Sequence, residues 1–259
     1  MDKLGGAVRE LSRIDENLKN QTWLVRLHPL VKLLVSVLYI AMTVSVPVLN
    51  IGMLLLMAVY PVVLFITGDV SFRDSLRRLK VVLPLVCFVG VLNPFFDKTP
   101  VMLAEGLMVT GGVISMVTLM VKGVLTVLAA YLLIATTGIE RICYALRQLH
   151  VPQLIVTQIL LTYRYISLLL TEMKKTVDAY KLRAPGQRGI HIRAWGSLVG
   201  GLLLRSIDRA NVLYESMILR GFHGEFYYSG AGKAETADYI YLIAWTVCFI
   251  VIRLFGGRI

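Results

Sequence analysis

Charge is scarce in this chain: only 17% of its 259 residues are Asp, Glu, Lys or Arg, against roughly 25% in soluble domains. It is also unevenly placed. No charged residue stands between Lys32 and Asp69, and Gly106–Ile139 holds only Lys122. An uncharged run such as Leu33–Gly68 excludes a soluble core. A hydrocarbon layer about 30 Å thick takes roughly 20 apolar residues per helix, so this run is too long for one crossing and suits two short ones, with Pro47-Val-Leu-Asn50 as the turn. Cysteine is equally sparse. Cys87, Cys143 and Cys248 lie far apart, which excludes a disulfide framework and leaves each as a small buried hydrophobe. The N-terminal stretch Met1–Pro29 lacks the short apolar core and small-residue cleavage site of a secretory signal and reads as a cytoplasmic tail. No Walker A loop, His-Glu-x-x-His or Gly-x-Ser-x-Gly is present, so the chain reads as non-catalytic, with any ATP hydrolysis in a partner. The acids are scattered, which speaks against a lipid-modifying enzyme.

What is there is an all-α, polytopic membrane pattern. Spans are predicted near 31–47, 50–67, 81–97, 104–136 and 238–256, about five in all. Lysine and arginine collect on the cytoplasmic side of membranes. Of the 27 here, six lie in residues 1–32, four in 67–80 and thirteen in 137–237. All three regions therefore face one side, 104–136 crosses once, and the N-terminus is inside a prokaryotic cytoplasmic membrane. The divisions that follow are a tail (1–30), four transmembrane helices (31–136), a cytoplasmic helical segment (137–237) and a last span (238–259). The net charge of +11 is then a topology signal. No motif for nucleic acid accompanies it, and lipid is the expected surroundings.

The cytoplasmic segment is too long to be an unstructured loop. Thr137-Gly-Ile-Glu140 has capping-box spacing and opens a short helix to about Leu149. Pro152 suits the first turn of a helix running to Arg183. Its second half is amphipathic, with Ile166, Leu169, Met173, Val177 and Tyr180 on one face and Lys174, Lys175, Asp178 and Lys181 on the other. After Ala184-Pro-Gly-Gln-Arg-Gly189 a second long helix is expected over about Trp195–Arg220. Its apolar residues are Leu202, Leu203, Ala210, Leu213 and Met217, and Arg205, Asp208, Arg209 and Glu215 are polar. Both helices end on an arginine before a terminator: Leu182-Arg183-Ala184 and Leu219-Arg220-Gly221. An arginine in a last turn complements the helix dipole by about 0.3–1 kcal/mol. A guanidinium at a helix tip also pairs bidentately with a partner's carboxylates. Within the spans, Lys122 either pairs inside the bundle or meets a partner. Gly111-Gly112 and Gly200-Gly201 suggest close helix approach or flexibility. Arg205, Asp208 and Arg209 could pair within the two-helix unit. His28, His150, His191 and His223 are dispersed, and no metal-ligand role is assigned to them.

The run Leu202-Leu-Leu-Arg-Ser-Ile-Asp-Arg-Ala-Asn-Val-Leu-Tyr-Glu-Ser-Met-Ile-Leu-Arg-Gly-Phe-His-Gly224 resembles a signature of the transmembrane (T) component of energy-coupling factor transporters, cobalt/nickel branch. Tyr163-Arg164-Tyr-Ile166 with Glu172, Ala145-Leu-Arg-Gln-Leu-His-Val-Pro152 and His28-Pro-Leu-Val-Lys32 are similar to that family too. The resemblance implies a scaffold that couples two ATP-binding cassette ATPases, which bind ATP and Mg, to a separate substrate-binding membrane (S) subunit taking up a micronutrient: cobalt, nickel or a vitamin. No cofactor is expected in this chain. The resemblance also implies that Arg183 and Arg220 each dock one ATPase. The second motif keeps its glycine; in the first, Ala184 stands where glycine is expected. A self-contained permease or channel is the alternative, which needs ionisable residues lining a path, where the spans offer only Lys122.

Overall fold

The computed structural model describes residues 6, 23–47, 50–68, 75, 79–80, 83–84, 87–88, 90, 100–103, 107–187, 189–224 and 235–256. Most of the N-terminal tail and of the third predicted span, 81–97, lies outside them. The chain divides into two units. One comprises Asn17–Gly138 and Ala231–Ile259, the other Met1–Glu16 and Ile139–Gly230.

The first unit holds the apolar helices: α1 (Trp23–Arg26), α2 (Pro29–Val44), α3 (Ile51–Met57), α4 (Val59–Gly68), α5 (Gly111–Thr137) and α9 (Thr236–Gly256). Helix α2 starts where the sequence supplies a complete entry. His28 takes extended backbone and its Nδ1 accepts from Leu30 N at 3.3 Å, while Pro29 occupies the first turn, where a missing N–H costs nothing. Between α3 and α4 the hydrogen-bond ladder runs through Ala58, so residues 51–68 act as one short span. Its core is aromatic. Tyr39 and Tyr60 approach to 4.5 Å between ring centroids, Tyr60 and Trp245 to 4.8 Å, and Tyr39 and Phe249 to 5.5 Å. Edge and tilted packing of this kind adds about 0.5–1.5 kcal/mol per pair beyond area burial. Tyr39 Oη donates to Met57 O at 3.1 Å, and Ser36 Oγ and Tyr60 Oη lie 2.9 Å apart, so each phenol is satisfied as an apolar surrounding requires. These contacts bind α9 to α2–α4, although Arg253 interrupts the apolar run of that last helix. Val37, Val44, Leu55, Val62, Ile66, Ile243 and Val247 point outward and exposed, as lipid-facing positions do.

One boundary differs from the sequence reading. The fourth span does not begin at 104: Pro100–Leu103 and Leu107–Thr110 are antiparallel strands, β1 and β2, and α5 starts at Gly111. An apolar run is compatible with strand or helix, and periodicity does not separate the two over four residues. This ribbon is an accessory to an otherwise all-helical membrane protein.

The second unit contains α6 (Ile139–Gln148), α7 (Gln153–Arg183) and α8 (Ile192–Leu219). The capping box expected at Thr137 does not form. Thr137 closes α5 instead, its Oγ1 buried and without a partner among the described residues. Gly138 follows at φ 78° with its N–H on Ile134 O at 2.9 Å, the single-bond left-handed helix stop. Helix α8 begins three residues before the expected Trp195, because His191 Nδ1 accepts from Arg193 N at 3.3 Å.

Candidate functional site

The ends of α7 and α8 are built differently. At the end of α8, Arg220 is the capping residue and Gly221 adopts φ 78°. Gly221 N bonds to Ile218 O at 2.9 Å and Phe222 N to Met217 O at 3.0 Å, the paired bonds of a Schellman stop. At the end of α7, Ala184 has φ −125° and its N–H reaches Tyr180 O at 3.1 Å. Tyr180 closes this stop instead of a glycine: its hydroxyl donates to Gln187 Oε1 at 2.9 Å and accepts from His191 N at 3.4 Å. The substitution of alanine for glycine that the sequence flagged therefore changes how the chain turns while leaving the arginine at the tip.

Both tips present the same chemistry. Arg183 and Arg220 are exposed, and the leucines before them, Leu182 and Leu219, are 84% and 88% exposed. Among the described residues neither guanidinium has a partner. A short turn separates Arg183 from α8, and Arg220 caps the far end of α8, so the two stand at opposite ends of a helix about 42 Å long at 1.5 Å per residue. Ala184 is half-buried and Gly221 exposed.

Two features hold α7 and α8 together. Met173, Thr176 and Val177 of α7 face Trp195, Leu198, Val199 and Leu202 of α8 around a small apolar groove. Farther along, Arg209 Nη2 donates to Glu172 Oε1, joining a residue expected on the polar side of its helix to one singled out only by the family resemblance. Arg205, Asp208, Glu215 and Arg164 are exposed. Arg205 and Asp208, expected as pairing partners of Arg209, make no ion pair among the described residues. On the outer face of α7, Lys181 Nζ donates to Asp178 Oδ1 at 2.8 Å, and this bond holds the Asp178 carboxyl below its ordinary range. No residue of α8 is buried. Leu203, Leu204, Ile207, Val212, Tyr214 and Ile218 are all exposed, the kind of apolar surface that marks an interaction site. The pair Gly200-Gly201 does not serve close approach, since a Cβ at either would meet open space.

Lys122 belongs to the first unit. Its Nζ donates to Val44 O at 3.1 Å and to Val46 O, capping the C-terminal end of α2, where carbonyls lack helical partners and the dipole is negative. Pairing inside the bundle, one of the two readings open from sequence, is the arrangement seen. Sequence reasoning did not find the capping of α2 and α8 by His28 and His191, nor the closing role of Tyr180. The histidines stand three and four residues before the predicted helix starts at 31 and Trp195, and only the observed starts at Pro29 and Ile192 place each at the cap. Among the described residues no three His, Cys, Asp or Glu side chains come together.

Residues 20–228 match the model of the CbiQ family, described as cobalt transport protein. The chain is 25% identical over 252 residues to the energy-coupling factor transporter transmembrane protein EcfT of Leuconostoc gelidum subsp. gasicomitatum, covering 90% of this chain and 93% of that protein. It is 28% identical over 116 residues to the nickel permease LarQ of Lactiplantibacillus plantarum, covering 45% of this chain and only 42% of LarQ. An uncharacterized protein of Methanocaldococcus jannaschii shares 23% identity over 74% of this chain and 69% of its own length. With a family match across most of its length and helices long and apolar enough to cross a membrane, this chain belongs to the CbiQ family of cobalt transport proteins and is the transmembrane component of a transporter.

Proposed function

We propose that this chain is the coupling subunit of an energy-coupling factor importer. Two ATP-binding cassette ATPases, which bind ATP and Mg and carry out hydrolysis, engage Arg183 and Arg220. A separate substrate-binding membrane subunit captures the cargo, and α7 and α8 transmit the ATPase motion to it. The observation that carries this reading is the pair of exposed arginines, without partners among the described residues, at opposite ends of α8, spaced to reach two molecules at once. A docked carboxylate on each satisfies a guanidinium left open among the described residues. The exposed apolar length of α8 supplies the surface a membrane partner would cover. Cobalt or nickel is the cargo favoured, on the family description and the name of one relative, with a vitamin as the other candidate.

The test is charge reversal. Each charge-assisted contact is worth about 1.5–3 kcal/mol, so Arg183→Glu or Arg220→Glu should weaken ATPase copurification roughly 10- to 100-fold, since about 1.4 kcal/mol is tenfold. The double reversal should abolish cobalt or nickel uptake while the chain still inserts. Retained assembly and uptake in the double variant sinks the coupling reading. A self-contained permease gains nothing from Lys122, whose ammonium is already engaged by the carbonyls of α2.

A further inference from the structure

The motif His28-Pro-Leu-Val-Lys32 does more than open a helix. Lys32 is 3% exposed, and its Nζ donates to Thr136 O at 3.1 Å. Thr136 lies in the last turn of α5, two residues before Gly138, where the chain leaves the membrane unit. At the other end of the same motif, His28 N donates to Asp238 Oδ1 at 2.8 Å. Asp238 is 5% exposed and sits in the first turn of α9, just after the chain returns at Ala231. Its second oxygen accepts from Glu235 N at 2.8 Å. A buried ammonium or carboxylate is costly unless its hydrogen bonds are met. Here each also meets the matching end of a helix dipole: the lysine at a C-terminus, the aspartate at two N-termini.

Lys32 and Lys122 form a reciprocal pair on antiparallel α2 and α5, since each caps the C-terminal end of the other's helix. Only Lys32 does so beside a passage into the second unit. That difference separates a role in transmission from a role in packing alone.

We propose that His28, Lys32 and Asp238 form a clasp that fixes two of the three chain passages between the membrane unit and the α6–α8 unit, those at Gly138 and Ala231, as positioning residues for transport. This rests on the coupling reading above. Displacement of α7 and α8 carried along the chain enters the membrane helices at Gly138 and at the segment entering α9. With both anchored on one five-residue segment, the passages transmit displacement; with the anchors cut, they yield to it.

Two measurements test this on Lys32→Met and Asp238→Asn. Hydrogen exchange on the purified full chain reads the clasp without partners. At Gly138 and Ile139, Lys32→Met should exchange at least tenfold faster, as should Asp238→Asn over 236–239. Either variant alone suffices should the other fail to fold. The second measurement uses the assembled transporter in vesicles, with cobalt(II) or nickel(II) as the probe. ATP hydrolysis should persist while uptake per ATP falls at least fivefold. Lys122→Met, which cuts the twin cap away from the passages, should lower the yield of protein and leave uptake per ATP unchanged. Unaltered exchange in both clasp variants overturns the clasp. Faster exchange with unaltered uptake per ATP overturns the transmission role, as does an equal loss in Lys122→Met. Retained uptake in the Arg183/Arg220 double reversal overturns the coupling reading itself and takes transmission with it, whereas the exchange result stands or falls independently.

Discussion

The pairing of Glu172 with Arg209 should behave as a brace between α7 and α8, and a double-mutant cycle measures it. The side chains are 20% and 37% exposed respectively. Opposite unit charges about 4 Å apart attract by roughly 1 kcal/mol in water and about 4 kcal/mol at an effective dielectric of 20. Partial exposure and salt screening pull this pair toward the lower figure, giving a coupling of about 1–2 kcal/mol. Removing one partner costs more than removing both in proportion. Among the described residues Arg209 Nη1 is already buried without a partner, so Glu172→Ala strands the whole guanidinium. Thermal unfolding of the detergent-purified chain, followed by helical circular dichroism, supplies the assay. At about 2–4 °C per kcal/mol for a chain of this size, Glu172→Ala/Arg209→Ala should melt roughly 2–8 °C above the sum of the single losses. Additivity to within about 0.5 kcal/mol would show that the two helices are held by the apolar groove alone.

Two Schellman stops invite opposite substitutions. Gly221 and His150 both adopt left-handed backbone, at φ 78° and 60°, and His150 closes α6 with the same paired bonds. For an L side chain this region costs about 1–2 kcal/mol, so Gly221→Ala should lower stability by about 1 kcal/mol. His150→Gly should raise it by about 0.5–1 kcal/mol after the extra freedom of glycine in the unfolded chain is subtracted; loss of stability in His150→Gly would mean that its imidazole makes a contact worth more than the strain. Cys143 is fully buried in α6, and burial, with the Glu140 charge beside it, pushes its thiol up. Less thiolate at pH 7–8 and no access together mean that a chain retaining only Cys143 should react with maleimide after unfolding and not before. Prompt labelling of the folded chain would refute that placement.

The membrane helices were legible because charge scarcity is a composition signal that no packing detail can mask. The two arginine tips were legible because helix terminators are local, needing only an arginine followed by Gly or by Ala-Pro-Gly. What the sequence hid is non-local. Lys32 finds Thr136 across 104 residues and Asp238 finds His28 across 210, and no periodicity announces such pairs. Thr137 misled for a related reason. Its capping-box spacing is real, yet the preceding helix claims the residue, and Gly138 then supplies the stop that a threonine cap would have contradicted. Of the apolar residues expected on α8, Leu202, Leu213 and Met217 are half-buried while Leu203 and Ala210 stay exposed, and Leu204, Ile207, Val212 and Ile218 add uncovered apolar surface, since the pattern reports what a helix would bury and not who covers it.

That uncovered surface bears on where α7 lies. By length and composition α7 could cross a membrane, as could α5 and α9. If it did, Lys174, Lys175, Lys181 and Arg183 would be carried to the outer side. Glu172 would take Arg209 along with it, because the two are paired, and α8 would follow with Arg193 and Arg205. Such a topology reverses the positive-inside bias over the most basic stretch of the chain. It also places the exposed Arg164 in the apolar half of α7, where an unpaired guanidinium costs about 2.5–3.5 kcal/mol or more. The bias and the ion pair thus speak against a crossing by α7, whose Leu154, Ile155, Ile159 and Ile166 are exposed. The coupling role proposed above would use this combination, a helix apolar enough to hold a membrane partner and charged at its end to hold a soluble one.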